Sequence, residues 1–278
     1  MVTRRLTSMS EDEQRVIADA LCNPLNPRVA VNLCSTCQSL HELMHTPLQQ
    51  LRERHHAASA LCVQLGTSCE AVLGSSRLNW RFNSLGPPDC HVVSMLFHSS
   101  ALASLKDLHL DGNPLMDDGM GTLAAGLVPG AMPALTSLVC IDTQLGDRAA
   151  ADLGRAIARR GLPALKSLNL NHNQISDSGV HALATGLRSV ALEVLMLDTN
   201  QIGDCGLGLL VRPRCPQPGE CASRARPSDS GGLVCSVSCP SVPRHGGPAL
   251  HARQVSEAVS LSALKHLSLS ANQARPSQ

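Results

Sequence analysis

The chain has 278 residues, of which 23 are Lys or Arg and 22 are Asp or Glu, so its formal charges nearly cancel. That balance provides no basic excess for nucleic acid or for an anionic membrane. Trp80, Phe82 and Phe97 are its only aromatic residues, which excludes base-stacking platforms and leaves Leu, Ala and Val to fill the core.

The first residues, MVTRRLTSMSEDEQRV, carry two arginines but no apolar run after them, so no secretory signal is expected. No stretch approaches the ~20 consecutive apolar residues of a membrane span. With no export signal, most of the twelve cysteines read as reduced, small, buried hydrophobes of an intracellular protein, cytoplasmic or nuclear.

Residues 11–66 are predicted to be helical. Leu33, Cys37, Leu40, Met44, Leu48 and Leu51 recur every three or four residues as an amphipathic stripe, and Pro47 is expected to break that run into two helices. The segment LNPRVAVNLCSTCQSLHEL resembles the second half of an F-box, with Leu25, Pro27, Val31, Leu33, Cys37 and Leu43 matching and Leu40 in place of the usual Trp. The Leu-Pro opening of that motif is missing. The resemblance implies docking of a Skp1-like subunit; the other reading of the same helices is a cap over the open end of the array that follows. Cys34, Cys37, His41 and His45 have the look of a zinc-ligand set. On one continuous helix, however, Cys34 and His45 would lie about 16 Å apart, too far for ligands that sit roughly 2.0–2.3 Å from a shared ion. His55 and His56, beside Arg52, Glu53 and Arg54, read as a solvated helix face.

A repeat begins downstream. LKDLHLDGNPL, from Leu105, has apolar residues at offsets 0, 3, 5 and 10 and Asn at offset 8. Copies start at Leu135, Leu165, Leu192 and Leu264, and a degenerate one at Ser75 carries Leu78, Trp80, Asn83 and Leu85. Each second half adds an acidic residue, a small residue and two spaced apolar ones: Asp117, Gly119, Leu123 and Leu127 in one copy, Asp147, Ala149, Leu153 and Ile157 in the next. The period therefore changes from strand-like to helix-like within each unit, and the Asp is placed to cap the helix that it precedes. The Asn column is expected to bridge the backbones of adjacent turns.

These units resemble leucine-rich repeats of the ribonuclease-inhibitor type, HNQISDSGVHALATGL (172–187) most closely. The resemblance implies an α/β fold: a leucine-rich-repeat solenoid with a curved parallel sheet inside, helices outside and an N-terminal helical cap. The repeats should cover 70–211, with a partial C-terminal repeat at 254–278. Between them, 212–253 holds seven prolines, five glycines, six serines and four cysteines with no helical or strand period, and is expected to be a disordered insertion or a segment foreign to the gene's coding sequence. Its Cys215, Cys221, Cys235 and Cys239, near His245 and His251, match no standard zinc spacing.

No phosphate loop, nucleophile elbow or dinucleotide signature occurs, so no catalysis, cofactor or metal is expected. Cys140 and Cys205 fall on repeat positions and read as structural. Side chains alternate along a strand, so offsets 4 and 6 should point outward on the concave face. The candidate binding residues are Asn79, Arg81, His109, Asp111, Val139, Ile141, Asn169, Asn171, Met196 and Asp198, with Val139, Ile141 and Met196 as an exposed apolar centre. The function expected from this face is non-catalytic binding of a protein partner. The alternatives are a ubiquitin-ligase substrate adaptor, from the F-box likeness, and a regulator of a Ran-like small GTPase, because Ran GTPase-activating proteins share this repeat type.

Overall fold

A computed structural model describes residues 22–35, 38–99, 101–203, 206, 226–227, 233–234 and 263–272. It opens with three helices, α1 (Arg28–Cys34), α2 (Gln38–Gln64) and α3 (Cys69–Leu73). Strand and helix then alternate: β1 (Arg77–Asn79), α4 (Pro87–His98), β2 (Asp107–His109), α5 (Met116–Gly126), β3 (Ser137–Val139), α6 (Asp147–Ala158), β4 (Ser167–Asn169), α7 (Asp177–Leu187) and β5 (Val194–Met196). Two-residue strands β6 (Arg226–Pro227) and β7 (Leu233–Val234) pair antiparallel, and β8 (His266–Ser268) follows. The main sheet is wholly parallel in the order β1-β2-β3-β4-β5-β8. This is the expected α/β solenoid.

Register follows the repeat. Leu78 pairs with Leu108, Leu108 with Leu138, Leu138 with Leu168, and Leu168 with Leu195. Strand β5 then pairs directly with β8, Leu195 opposite Leu267, so the chain leaves and rejoins the same stack. The backbone ladder outlasts the three-residue strands. The amides of Phe82, Gly112, Asp142, His172 and Thr199 donate to the carbonyls of Asp111, Ile141, Asn171, Asp198 and Ser270 in the next turn, at 2.8–3.1 Å. Each of these residues, and Ala271, has a φ between 52° and 64°. A left-handed residue at this position in every turn bends the chain out of the sheet, and only at Gly112 is it glycine.

Two polar columns hold the turns together. The buried side-chain amide of Asn173 donates to the carbonyls of Cys140 and Leu170 (2.8 and 3.0 Å), and its oxygen accepts from the amides of Thr143 and Leu145 (3.2 and 3.0 Å). Asn113 spans the preceding junction in the same way, donating to Trp80 and Leu110 and accepting from Asn83 and Leu85. Asn272 reaches across the 72-residue interval to the carbonyl of Leu197 and the amides of Asn200 and Ile202. Thr143, in the same column, turns its hydroxyl to the Cys140 carbonyl and to Asn173.

The Asp column corrects the expectation. Asp147 and Asp177 are the first residues of their own helices, which are capped by Gly146 and Ser176. Their carboxylates instead cross to the next turn. Asp117 accepts from the amides of Gly146 and Ala149 (2.7 and 3.2 Å). Asp147 accepts from the amides of Ser176 and Gly179 and the hydroxyls of Ser176 and Ser178. Asp177 accepts from Gly203 at 2.7 Å. Stacking brings the free amides and positive dipole end of the following helix within reach of Asp117 and Asp147. This also explains the small residue two positions on: a Cβ at Gly179 would lie 2.4 Å from an Asp147 oxygen.

The main core is the set of Leu columns between sheet and helices, and α2 and α3 extend it with Ala58, Leu61, Cys62 and Val72 beside Leu78 and Trp80. Cys22, Ala30, Cys34, Leu48 and Leu51 form a second, smaller core. Pro47 does not end its helix: α2 runs unbroken through it. An interior proline costs about 3 kcal/mol, which the burial of Leu48, Leu51, Ala58, Leu61 and Cys62 on the same helix offsets. The side chains of Leu33, Leu40 and Met44, and all of Cys37, lie outside the described residues, as does nearly all of 212–253.

Because β5 and β8 are already neighbours, deleting 212–253 should leave the fold intact, with a melting temperature within a few degrees of the parent; a large drop would refute this. For Asp147, burial opposes ionisation, but the hydrogen bonds from Ser176, Ser178 and Gly179 outweigh it and hold its carboxyl below the ordinary value. A depressed folded-state pKa contributes stability above the ordinary carboxylate range and loses it as pH falls through the folded value. Asp147→Asn should therefore cost about 0.5–2 kcal/mol at pH 7, as loss of a helix cap does, and the deficit should shrink below about pH 4. Urea unfolding at both pH values checks this, and an equal deficit at both would contradict it.

Candidate functional site

Every third-strand-position side chain stands in one row across the sheet: Asn79, His109, Val139, Asn169, Met196 and Ser268, in register. Two residues on, Arg81, Asp111, Ile141, Asn171, Asp198 and Ser270 form a second row. The structure thus brings the ten expected residues onto one face, but not as equals. Asn79 and Arg81 are exposed, while His109, Ile141, Asn169, Asn171, Met196 and Asp198 are half-buried. Asp111 and Val139 are buried, at 5% and 8% exposure. Of the apolar centre expected there, Val139 is thus buried, while Ile141 and Met196 stay half-buried. Parallel neighbours stand about 4.8 Å apart, and Val139 is in register with His109 on one side and Asn169 on the other.

Hydrogen bonds bind much of this face into the scaffold. Arg81 forms an ion pair with Asp111 and places Nη2 2.7 Å from His109 Nδ1. A guanidinium only donates, so Nδ1 accepts and the neutral imidazole carries its proton on Nε2. Burial, then the Arg81 charge, push the His109 pKa down against the opposing pull of Asp111 and Asp107. Asp111 also accepts from the Ile141 amide at 3.2 Å. Farther along, Asn171 accepts from the Asp198 amide at 2.8 Å, and Asp198 accepts from the Ser268 hydroxyl and the Ser270 amide. Glu193 lies between Lys265 and Lys166, at 2.7 and 3.2 Å, and the two ammonium groups hold its carboxyl below the ordinary value.

The sequence reading missed a third row. Arg77 and Asp107, joined at 3.1 Å, occupy the first strand position and share the face by the same two-residue period. It also missed Phe82, 76% exposed in the turn after β1, and Met116, 47% exposed in the next turn. Pro114 explains Met116: Ser84 and Gln144 are left-handed at the corresponding position, which proline cannot be, and the left-handed residue is displaced to Met116 (φ 57°).

Other sequence candidates are dispersed. Cys34 is buried at the end of α1 and His45 is exposed on α2, so the single helix assumed for that zinc-like set is two. Cys37, the side chain of His41, Cys205 and the cysteines and histidines of 212–253 lie outside the described residues. His55 is not simply solvated, because Nδ1 is 2.7 Å from the Pro24 carbonyl oxygen. Burial pushes the Cys90 thiol up to about 12 and raises that of Cys140, the opposite of nucleophile activation. Among the described residues, no group of three or more His, Cys, Asp or Glu is placed to hold a metal ion, and no helix is long and apolar enough to cross a membrane.

A family model described as "Leucine Rich repeat" matches residues 162–184. The chain is similar to ribonuclease inhibitor from Sus scrofa, with 25% identity over 214 residues, covering 64% of this chain and 45% of that one. It thus spans less than half the length of that curated relative. Among solved structures it shows a likeness to the TLR13–ssRNA13 complex, at 20% identity and a TM-score of 0.30, over 51% of this chain and 21% of that one.

The wiring of His109 has a measurable consequence. In an NMR titration its imidazole should protonate at lower pH than that of an exposed histidine. Arg81→Ala, which removes an opposing positive charge, should move the midpoint upward. An unchanged midpoint would remove Arg81 as a cause.

Proposed function

Since the chain is a leucine-rich-repeat protein related to ribonuclease inhibitor, we propose that it is a non-catalytic scaffold that binds another protein on its concave face. The observation that carries this reading is the face itself. Six in-register strands present three parallel rows of side chains over a core that is already closed. Buried polar side chains are satisfied beneath it, with no buried side-chain N or O left unpaired among the described residues. Asn79 and Arg81 are exposed and Asn169, Asn171, Met196 and Asp198 half-exposed on this face; each already has a neighbour on the scaffold, and their outward atoms remain open to a partner. Rigid, curved and chemically mixed surfaces of this kind suit recognition of a folded partner. The named relative is an inhibitor, which is a binding function, and we infer a cytoplasmic or nuclear setting for this chain.

A second reading has one observation in its favour. The small core of Cys22, Ala30, Cys34, Leu48 and Leu51 is separate from the solenoid's, and Val29 and Val31 are exposed on α1. That suits an F-box-like docking element for a Skp1-like subunit.

Affinity purification of the full-length chain with mass spectrometry addresses both readings. Capture by the parent should be lost in an Asn79→Arg, Asn169→Arg double variant of unchanged melting temperature. A captured set indifferent to those substitutions would overturn the concave-face proposal. A Skp1-like protein in the set, lost on Pro27→Ala plus Leu33→Asp, would establish the adaptor reading instead.

A further inference from the structure

Of the three aromatic side chains, Trp80 and Phe97 are buried and Phe82 is open to solvent. Its backbone conformation (φ 54°) belongs to the turn, because every repeat is left-handed there. What is particular to Phe82 is its seat. The next turn has Gly112 at the equivalent position, and a Cβ there would fall 2.2 Å from the ring's Cδ1 and Cε1. The ring therefore rests directly on glycine backbone, and the Phe82 amide is tied to the Asp111 carbonyl at 2.9 Å. An exposed ring held in this way has lost much of its freedom before a partner arrives, so its use as a contact costs little ordering entropy.

Two ion pairs on the strand and turn that lead to Phe82 are layered. The Arg77 side chain is 71% exposed over Asp107 at 24%, and Arg81 is 41% exposed over Asp111 at 7%. At each pair the carboxylate lies inside and the guanidinium outside. A partner at this end of the face meets N–H donors and an aromatic surface, the combination that dominates interface energetics. Carboxylates match guanidinium forks in geometry as well as in charge.

We propose that Phe82, Arg77 and Arg81 form an anchor for an acidic, extended segment of the partner, with its carboxylates on the two guanidiniums and an apolar side chain on the ring. This rests on the concave-face reading and names the partner's chemistry. Two synthetic peptides test it by calorimetry with the full-length chain: Ac-ELEFELE-NH2 and its counterpart with every Glu replaced by Lys. The acidic peptide should bind saturably and the basic one should not. Phe82→Ala should weaken binding at least about tenfold. Gly112→Ala should also weaken it. It leaves Phe82 in place but pushes the ring off its seat, in a backbone conformation that Asp142, His172 and Thr199 already adopt in their own turns. Equal binding of the basic peptide, no binding of either, or full affinity in Phe82→Ala at unchanged melting temperature would each overturn the anchor. If the peptide fails while the Asn79, Asn169 double variant still loses its captured partner, the anchor alone is wrong. If neither effect is seen, both readings fall.

Discussion

Everything in this molecule depends on hydrogen-bonding groups that a single turn of the chain cannot satisfy alone. A three-residue strand followed by a helix leaves carbonyls and amides pointing along the stack. In a water-free interior each would cost about 1–3 kcal/mol if unpaired. The buried Asn side chain is suited to this position because it is donor and acceptor at once. Asn113, Asn173, Asn200 and Asn272 each donate to a carbonyl of the turn before and to one of their own turn. Carboxylates solve the matching problem on the helical side, where the free amides of one helix terminus are met by an Asp from the preceding repeat. With both sides joined in this way, the apolar columns between them have a fixed spacing, and the exposed rows of the sheet inherit their registration from it.

The sequence made the periodic part legible because periodicity is a property of burial. Leu columns recur wherever a side chain must face the core, and they mark the strands, their register and even the rejoining of β8 to β5. Local conformations that do not select one residue type were invisible. The left-handed turn position is occupied by Phe82, Gly112, Asp142, His172, Thr199 and Ala271, a set with no shared chemistry, because the cross-turn ladder imposes that geometry. The Asp column was seen but assigned to the wrong helix, since its spacing is the same for either partner and only stacking decides between them.

The candidate face shows the same division. Alternation along a strand correctly told which residues point outward. It could not tell that Asp111 would be covered by Arg81 or that Val139 would be buried, because exposure depends on what the adjacent turns contribute at that height. Pro47 teaches a related lesson. A local rule against proline inside a helix was overruled by the apolar burial of the residues that follow it, from Leu48 to Cys62.

The interval between β5 and β8 can be viewed in terms of chain entropy. Paired positions in adjacent strands elsewhere are 27–30 residues apart along the chain, and in this pair 72. The cost of closing a flexible loop grows only with the logarithm of its length, so lengthening it from 30 to 72 residues adds about 0.8 kcal/mol. That is comparable to the net worth of one hydrogen bond, and the half-buried Asn272 bridge that seals the junction makes several. A repeat stack is thus permissive toward long inserted chain at its turns, provided that the bonds at the seam are kept, and the last turn becomes the part of the solenoid whose formation is least local in sequence.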